Sequence, residues 1–393
     1  MRPPFFKTTE RKFLLFCLAV CAGILMPGAI HPDATIPPVG IRLQVISTTA
    51  GTGEKPQSKV WNHAGKWWCV LPDSSGTWIR RLDGTRWHSV YKISPSTRSH
   101  ADVLPAGGLV HILLLEGSRS ELVSAQYDPD GKSYRPWANR PRNVIQELDA
   151  GIETATIDLD SRGRMWMASD AVEQVHARYS DAPYETWQGP ILLADGIHPD
   201  DISMVVALQD RKVGVFWSNQ YAGKFGFRVH RDDASPTSWS PDEIPASQSA
   251  LRAGKGMADD HMHAAVGSDG TLYAAVKTSY DTPGYPKIAL LIRRPSGTWD
   301  PLYEVDQAGT RAIVLLDETA GSVMVIYTSR EGAGDIVCRE SSVSRISFGA
   351  RRILIPGPAN DATSTRQNID GSRLVLASHG RLVHGTLQTM TQE

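Results

Sequence analysis

The sequence predicts an all-β fold, and three observations carry that expectation. Helical periodicity is nearly absent after residue 40. Short apolar runs recur instead, split by Gly, Asp, Pro and Ser. Glycine and proline number 34 and 25 of 393 residues, enough to supply the many turns such a chain needs. The runs also fall into a repeat of about fifty residues, the period of a four-stranded blade in a radial β-architecture.

Seven copies can be aligned: "GKWWCVLPDSSGTWIRRLDGTRW" (65–87), "GLVHILLLEGSRSELVSAQYDPDGKSY" (108–134), "ETATIDLDSRGRMWMASD" (153–170), "ISMVVALQDRKVGVFWSNQ" (202–220), "HMHAAVGSDGTLYAAVKTS" (261–279), "RAIVLLDETAGSVMVIYTS" (311–329) and "TSTRQNIDGSRLVLASHG" (363–380). Each holds an apolar strand, a polar turn and a second apolar strand. A single such sheet has two apolar faces and cannot bury both; stacking around an axis covers them and leaves only short edges. The expectation is a seven-bladed β-propeller of four-stranded antiparallel blades over residues 41–393. The last copy offers only three strands, "ATSTRQNI", "RLVLAS" and "RLVHGTLQ". The alternating segment "IRLQVIST" (41–48) is expected to supply the fourth and close the ring. Tryptophans end several turns, at "DGTRW" (83–87), "YETW" (184–187), "TSW" (237–239) and "SGTW" (296–299), and are read as wedges between blades.

Ahead of this domain, Arg2, Lys7, Arg11 and Lys12 precede the apolar run "FLLFCLAVCAGILM" (13–26). That pattern reads as a signal peptide over residues 1–29, followed by a short linker over 30–40. The expected destination is secreted or periplasmic, with no membrane span after signal removal. Basic and acidic residues balance at 41 and 42, net charge -1, so neither a nucleic-acid partner nor a polybasic membrane surface is expected. Outside the signal only Cys69 and Cys338 remain, in blades one and six, and they read as separate buried thiols.

The chemistry-bearing stretch is "ADDHMHAAVG" (258–267), at the start of the innermost strand of blade five. With a period of two, His261 and His263 share one side and Asp260 and Met262 the other. The following loop "KTSYDTPGYPK" (277–287) brings Lys277, Tyr280, Tyr285 and Lys287 to the same rim. Blade four adds "SNQYAGKFGFRVHRDD" (218–233), with Asn219, Tyr221, Lys224, Arg228 and His230. Arg98, His100, Glu153, Thr154, Asp200, Asp201, Arg311 and Arg366 fill the rest of the rim. Three readings stay open. Asp260, His261 and His263 could hold a divalent metal, but the spacing matches no specific metal motif, and no cofactor is expected. A histidine, a tyrosine and an arginine could abstract a proton, return one and neutralise a carboxylate, as β-elimination of a uronic acid requires. A satisfied polar rim would do neither. His63 falls in a turn on the opposite face and is read as structural; His88, His111, His176 and His198 read as core or surface.

From residue 41 onward, "ETATIDLDSRGRMW", "KFGFRVHRDD" (224–233), "MADDHMHAAVGSDGTLYAAVKTSYDTPGYPKIALLIRRPSGTWD" (257–300) and "ATSTRQN" (362–368) resemble the secreted bacterial BNR-repeat, sialidase-like propellers. The resemblance implies the fold, export and an association with carbohydrate. A sialidase would need three arginines, for which Arg228, Arg311 and Arg366 stand, and a Tyr–Glu nucleophile, for which no pair stands out. "RPSGTW" (294–299) is similar to the sialidase turn but lacks its Asp. A more distant resemblance is to the propeller polysaccharide lyases, such as the ulvan lyases. It implies His261 or His263 as base, Tyr280 as acid and Arg228 as neutraliser, with His230 nearby. Asp260, Lys277, Tyr285, Lys287, Asn219, Tyr221, Arg311 and Arg366 would contact the chain of sugars. The expected partner is an extracellular polysaccharide bound by a monomer. The expected function is that of a polysaccharide lyase on a uronic-acid-containing glycan, by elimination rather than hydrolysis; a non-catalytic glycan- or protein-binding module and a sialidase-like hydrolase are the alternatives.

Overall fold

The computed structural model describes residues 35–36, 40–53, 56–249, 252–369 and 371–389, and among them there are strands and turns but no helix. The expected signal peptide lies outside the described residues. Sheet one is Val60–His63, Lys66–Asp73, Gly76–Asp83 and Arg86–Ser94. Sheet two is His100–Ala106, Leu109–Leu115, Arg119–Asp128 and Ser133–Pro136, with Val144–Glu147 also paired to the third strand. Sheet three is Ala155–Leu159, Met165–Asp170, Gln174–Ser180 and Gln188–Asp195. Sheet four has three strands, Ser203–Leu208, Lys212–Asn219 and Lys224–Arg231; single bridges from Phe227 to Glu243 and from His230 to Trp239 stand in for a fourth. Sheet five is Met262–Val266, Leu272–Lys277, Ile288–Arg293 and Tyr303–Asp306. Consecutive strands within each of these sheets pair antiparallel.

The remaining strands form one nine-stranded sheet. Seven of its strands run in the order Thr310–Asp317, Ser322–Thr328, Gly334–Ser342, Arg351–Thr363, Ser372–His379, Leu382–Thr389 and Ile41–Arg42, with Thr35–Ile36 also paired to Arg351–Thr363 and Ile46–Ser47 to Leu382–Thr389. The thirteen-residue strand Arg351–Thr363 serves two neighbours. Its first part pairs with Gly334–Ser342 and its end, at Asn360 and Thr363, with Ser372–His379. The expected strand "ATSTRQNI" is therefore mostly loop, ending as a strand at Thr363. The segment 41–48 does pair with Leu382–Thr389, as two short pieces, Ile41–Arg42 and Ile46–Ser47. Residues 65–87 and 108–134 cover second and third strands, whereas 261–279 covers a first and second, so the repeat was aligned one strand out of step in two copies.

Hydrophobic side chains form a cluster between each pair of successive sheets. Trp61, Trp68, Val103 and Ile112 join sheets one and two; Phe216, Phe227, Met262 and Leu291 join four and five. Trp67, Cys69, Leu374 and Val383 join the end of the nine-stranded sheet to sheet one. The four turn tryptophans each pack on a different cluster of this kind: Trp87, Trp187, Trp239 and Trp299. An indole buries a large area at small conformational cost, which makes it an effective wedge. Cys69 and Cys338 are buried free thiols in different clusters.

The first strands of neighbouring sheets are tied by side chains. Asp102 accepts from the amides of Ser58 at 3.0 Å and Ile157 at 2.9 Å. Thr156 accepts from Val205 N at 2.9 Å, Asp158 from Ala207 N at 2.7 Å, and Thr363 from Lys59 N at 3.2 Å. An innermost strand has no ladder partner on one edge, so its buried amides need acceptors from the next sheet.

Candidate functional site

Three carboxylates converge where the first strands begin. Glu153 stands before sheet three, Asp200 before sheet four and Asp260 before sheet five, and one oxygen of each lies within 4.8 Å of the others. Asp259 and Asp260 also close on His261. Its Nδ1 donates to Asp259 Oδ1 at 2.9 Å and to Asp260 Oδ1 at 2.6 Å. Ser279 Oγ donates to Asp259 Oδ2 at 3.3 Å, and Lys277 Nζ sits 3.3 Å from the same oxygen and 2.9 Å from Glu331 Oε1. The backbone fixes the loop, because Lys277 N donates to His261 O at 2.9 Å.

His261 is buried, at 5% exposure, and its Nε2 has no hydrogen-bond partner. Burial alone pushes its pKa down, but the hydrogen bonds and charges of Asp259 and Asp260 outweigh it and the net shift is upward. The ring lines a cavity of about 10 Å³ with Thr52, Met262, Arg311 and Asp361, room for a single water. Arg311 Nε is 2.7 Å from Asp361 Oδ1. Both residues hold positive φ, 54° and 55°, a backbone strain of about 1 kcal/mol each that their ion pair helps hold.

No protein-family model matches the chain, and no curated protein matches it. Solved structures do. A polysaccharide lyase described as a PL25 ulvan lyase superposes with a TM-score of 0.53, at 11% identity over 89% of this chain and 96% of that one. A protein from Lactobacillus plantarum gives 0.52, at 14% identity over 78% and 87%. A chain of a mitotic checkpoint complex gives 0.55, at 8% identity over 93% and 99%. The fold is a β-propeller. Identities this low carry the architecture and nothing of the chemistry.

In a propeller the first strands line the central channel, so the Glu153–Asp200–Asp260 cluster and His261 stand at its mouth. Lys277 and Arg311 belong to the same mouth. His263 does not. The strand begins at Met262, so the two-residue alternation does not carry across His261. His263 Nδ1 instead accepts from Val314 N at 3.3 Å within the channel wall, and burial pushes its pKa down to about 3. Arg366 lies deeper than the rim, donating to Ile157 O at 2.9 Å and to Asp102 Oδ2 at 3.3 Å.

The expected partners of His261 from sheet four are elsewhere. His230 is buried between Trp166 and Trp239, its Nδ1 donating to Ser238 O at 2.9 Å. Its register partner is Val213, at the end of the sheet away from the mouth. Arg228 pairs with Asp242 at 2.5 Å in an outer groove. Tyr280 is 2% exposed inside the core of sheets four and five, its ring 5.0 Å from that of Tyr285, and burial raises its pKa to about 12. Tyr285 is on the surface and Lys287 is half-buried at the edge of the same loop. Asn219 Oδ1 accepts from Ala222 N at 2.8 Å, and exposed Tyr221 meets the His198 ring at 5.0 Å. A metal could be held by Asp259, Asp260 and His261 or by Glu153, Asp200 and Asp260, with His263 in neither set. Asp361 and Glu331, which hold Arg311 and Lys277, carry no sequence signal, because Asp361 comes from the distant strand Arg351–Thr363 and Glu331 from a turn of the sheet after that of Lys277.

Proposed function

We propose that the protein is an exported, monomeric, seven-bladed propeller that cleaves an extracellular polysaccharide at the mouth of its central channel. Seven interfaces in chain order, the last joining both ends of the described chain, support a closed ring of seven. The observation that carries the activity is the approach of Glu153, Asp200 and Asp260 within 4.8 Å, beside a histidine held by two carboxylates.

Glycosidic cleavage needs one carboxyl group to protonate the leaving oxygen and another to face the anomeric carbon, about 5 Å apart in retaining enzymes and farther in inverting ones, so the spacing of this cluster fits only the former. Its transition state is cationic, and an acidic mouth stabilises it. Elimination from a uronate needs a free cation against the substrate carboxylate. Here Lys277 is held by Asp259 and Glu331, and Arg311 by Asp361. Hydrolysis is therefore favoured over elimination. His261, shifted toward its protonated form, holds Asp260 in place through Nδ1.

A panel of neutral and acidic polysaccharides tests this, scored both for new reducing ends and for the ultraviolet chromophore of an unsaturated uronate. Reducing ends without the chromophore are expected, falling about 100-fold or more in Glu153→Gln or Asp200→Asn. The chromophore would make the reaction an elimination. Binding without cleavage of any polymer would make the protein a glycan-binding module.

A further inference from the structure

Beside the mouth runs a concavity of about 490 Å³ lined by Tyr221, Lys224, Arg252 and Lys255 together with the backbone of Gly223, Gly254 and Gly256. None of the three cations forms an ion pair among the described residues, and no carboxylate lines the groove. Asp281 stands against Gly254, where an added Cβ would meet its Oδ1 at 1.8 Å, and Asp195, Asp242 and Glu243 line the adjoining groove that Lys224 also borders. The two walls are pinned together. Met257 N donates to Gly223 O at 2.8 Å, and a Cβ at Gly256, whose φ is +98°, would fall 2.5 Å from Gly223 Cα. Gln220, Ala222 and Ile244 complete the lining, and the cations and the ring of Tyr221, 64% exposed, are the charged and aromatic groups a ligand would meet.

Both walls lead to the acidic cluster. Gln220 N donates to Asp201 Oδ2 at 2.9 Å, next to Asp200, and Met257 lies two residues before Asp259. The groove is thus tied through the backbone to the segments that carry Asp200 and Asp260. The two regions carry opposite charge, which suits a polymer whose anionic groups are gripped at one point while an uncharged bond is presented at another.

We propose that this groove is a binding subsite for a linear anionic polysaccharide, its carboxylate or sulfate groups held by Lys224, Arg252 and Lys255 and one sugar face packed on Tyr221. The inference rests on the glycan reading above for the kind of polymer, and on no cleavage step. Single surface charges contribute little, so affinity comes from several contacts along one chain and weakens with salt.

The test is binding of the full chain to polygalacturonate, to dextran sulfate and to neutral pullulan, followed by affinity electrophoresis at low and high salt. Retention by one or both anionic polymers but not by pullulan is expected; the two arms tell carboxylate from sulfate recognition. Lys224→Gln, Arg252→Gln and Lys255→Gln together should weaken retention by about tenfold or more, and Tyr221→Ala by several fold, with unchanged unfolding midpoints. Arg119→Gln, which removes an exposed charge on sheet two, should bind as the wild type does, which separates this subsite from a general effect of net charge. Equal retention by the triple variant, retention of pullulan alike, or stronger retention by duplex DNA would overturn the proposal.

Discussion

Arg366 donates to the carbonyl oxygen of Ile157 at 2.9 Å, joining the loop after the strand Arg351–Thr363 to the first strand of sheet three across the channel. The same guanidinium lies 3.3 Å from the fully buried carboxyl of Asp102, whose two oxygens already take the amides of Ser58 and Ile157. Burial pushes the Asp102 pKa up against the pull of Arg366. Arg366→Met leaves that carboxyl without its counter-charge and should cost about 3–5 kcal/mol in denaturant unfolding. Asp102→Asn in the same chain should recover part of the loss; a single variant as stable as the wild type would remove Arg366 from the account of stability.

His263 gives a pH signature. Its folded pKa is pushed from 6.5 down to about 3, so between those values the unfolded chain binds a proton that the folded chain refuses. Stability is therefore present above pH 6.5 and is lost as pH falls through that window, by up to about 1.4 kcal/mol per pH unit. His263→Asn keeps an acceptor for Val314 N and should flatten this part of the wild-type curve. Identical slopes in parallel urea titrations would contradict it.

His261 behaves in the opposite sense. Its pKa is raised in the fold, so its contribution is fully present below the unfolded value of 6.5 and fades as pH rises through the folded one. Nitrogen-detected NMR should show the ring titrating above an ordinary histidine. Asp259→Asn with Asp260→Asn should move its titration below that of an ordinary histidine, because burial is then unopposed.

Gly226 lies under an indole. An alanine Cβ there would sit 2.2 Å from Trp217 Cε2, inside the core between sheets three and four. Gly226→Ala should cost about 1–3 kcal/mol or more through overpacking. At Gly84, with φ of +61° and open space around it, alanine should lose only the backbone preference, about 1 kcal/mol. Comparable losses at both sites would show that Trp217 yields.

Tyr327 Oη donates to Asp306 Oδ2 at 2.5 Å, and Arg339 Nε is 3.1 Å from the same oxygen. All three are buried. Tyr327→Phe should cost about 1.5–3 kcal/mol, the range for a hydrogen bond to a charged group, read from chemical denaturation.

Much of the architecture was legible because it lives in local patterning. Alternation and turn residues marked the strands, and the turn tryptophans Trp87, Trp187, Trp239 and Trp299 sit between sheets as their spacing suggested. The rim was legible in outline: Glu153, Asp200 and Asp260 each occupy the two or three positions before a first strand, and repeat alignment alone places them together. What stayed hidden depends on where a strand begins and what crosses the channel. His263 was grouped with His261 because alternation was extended one residue too early. Tyr280 sits in an apparently polar loop, yet its ring is drawn into the core of sheets four and five. His230 and Arg228 share a strand with Lys224 but lie progressively farther from the mouth, and a rise of about 3.3 Å per residue is enough to separate them.

The strand Arg351–Thr363 leaves no connecting loop between the two halves of the nine-stranded sheet. Elsewhere a sheet can in principle loosen at the segment that links it to the next. Here one continuous run of backbone amides belongs to both, so fraying on one side is paid by the other. The two halves are a single cooperative unit, and their slowest amides should exchange with solvent together.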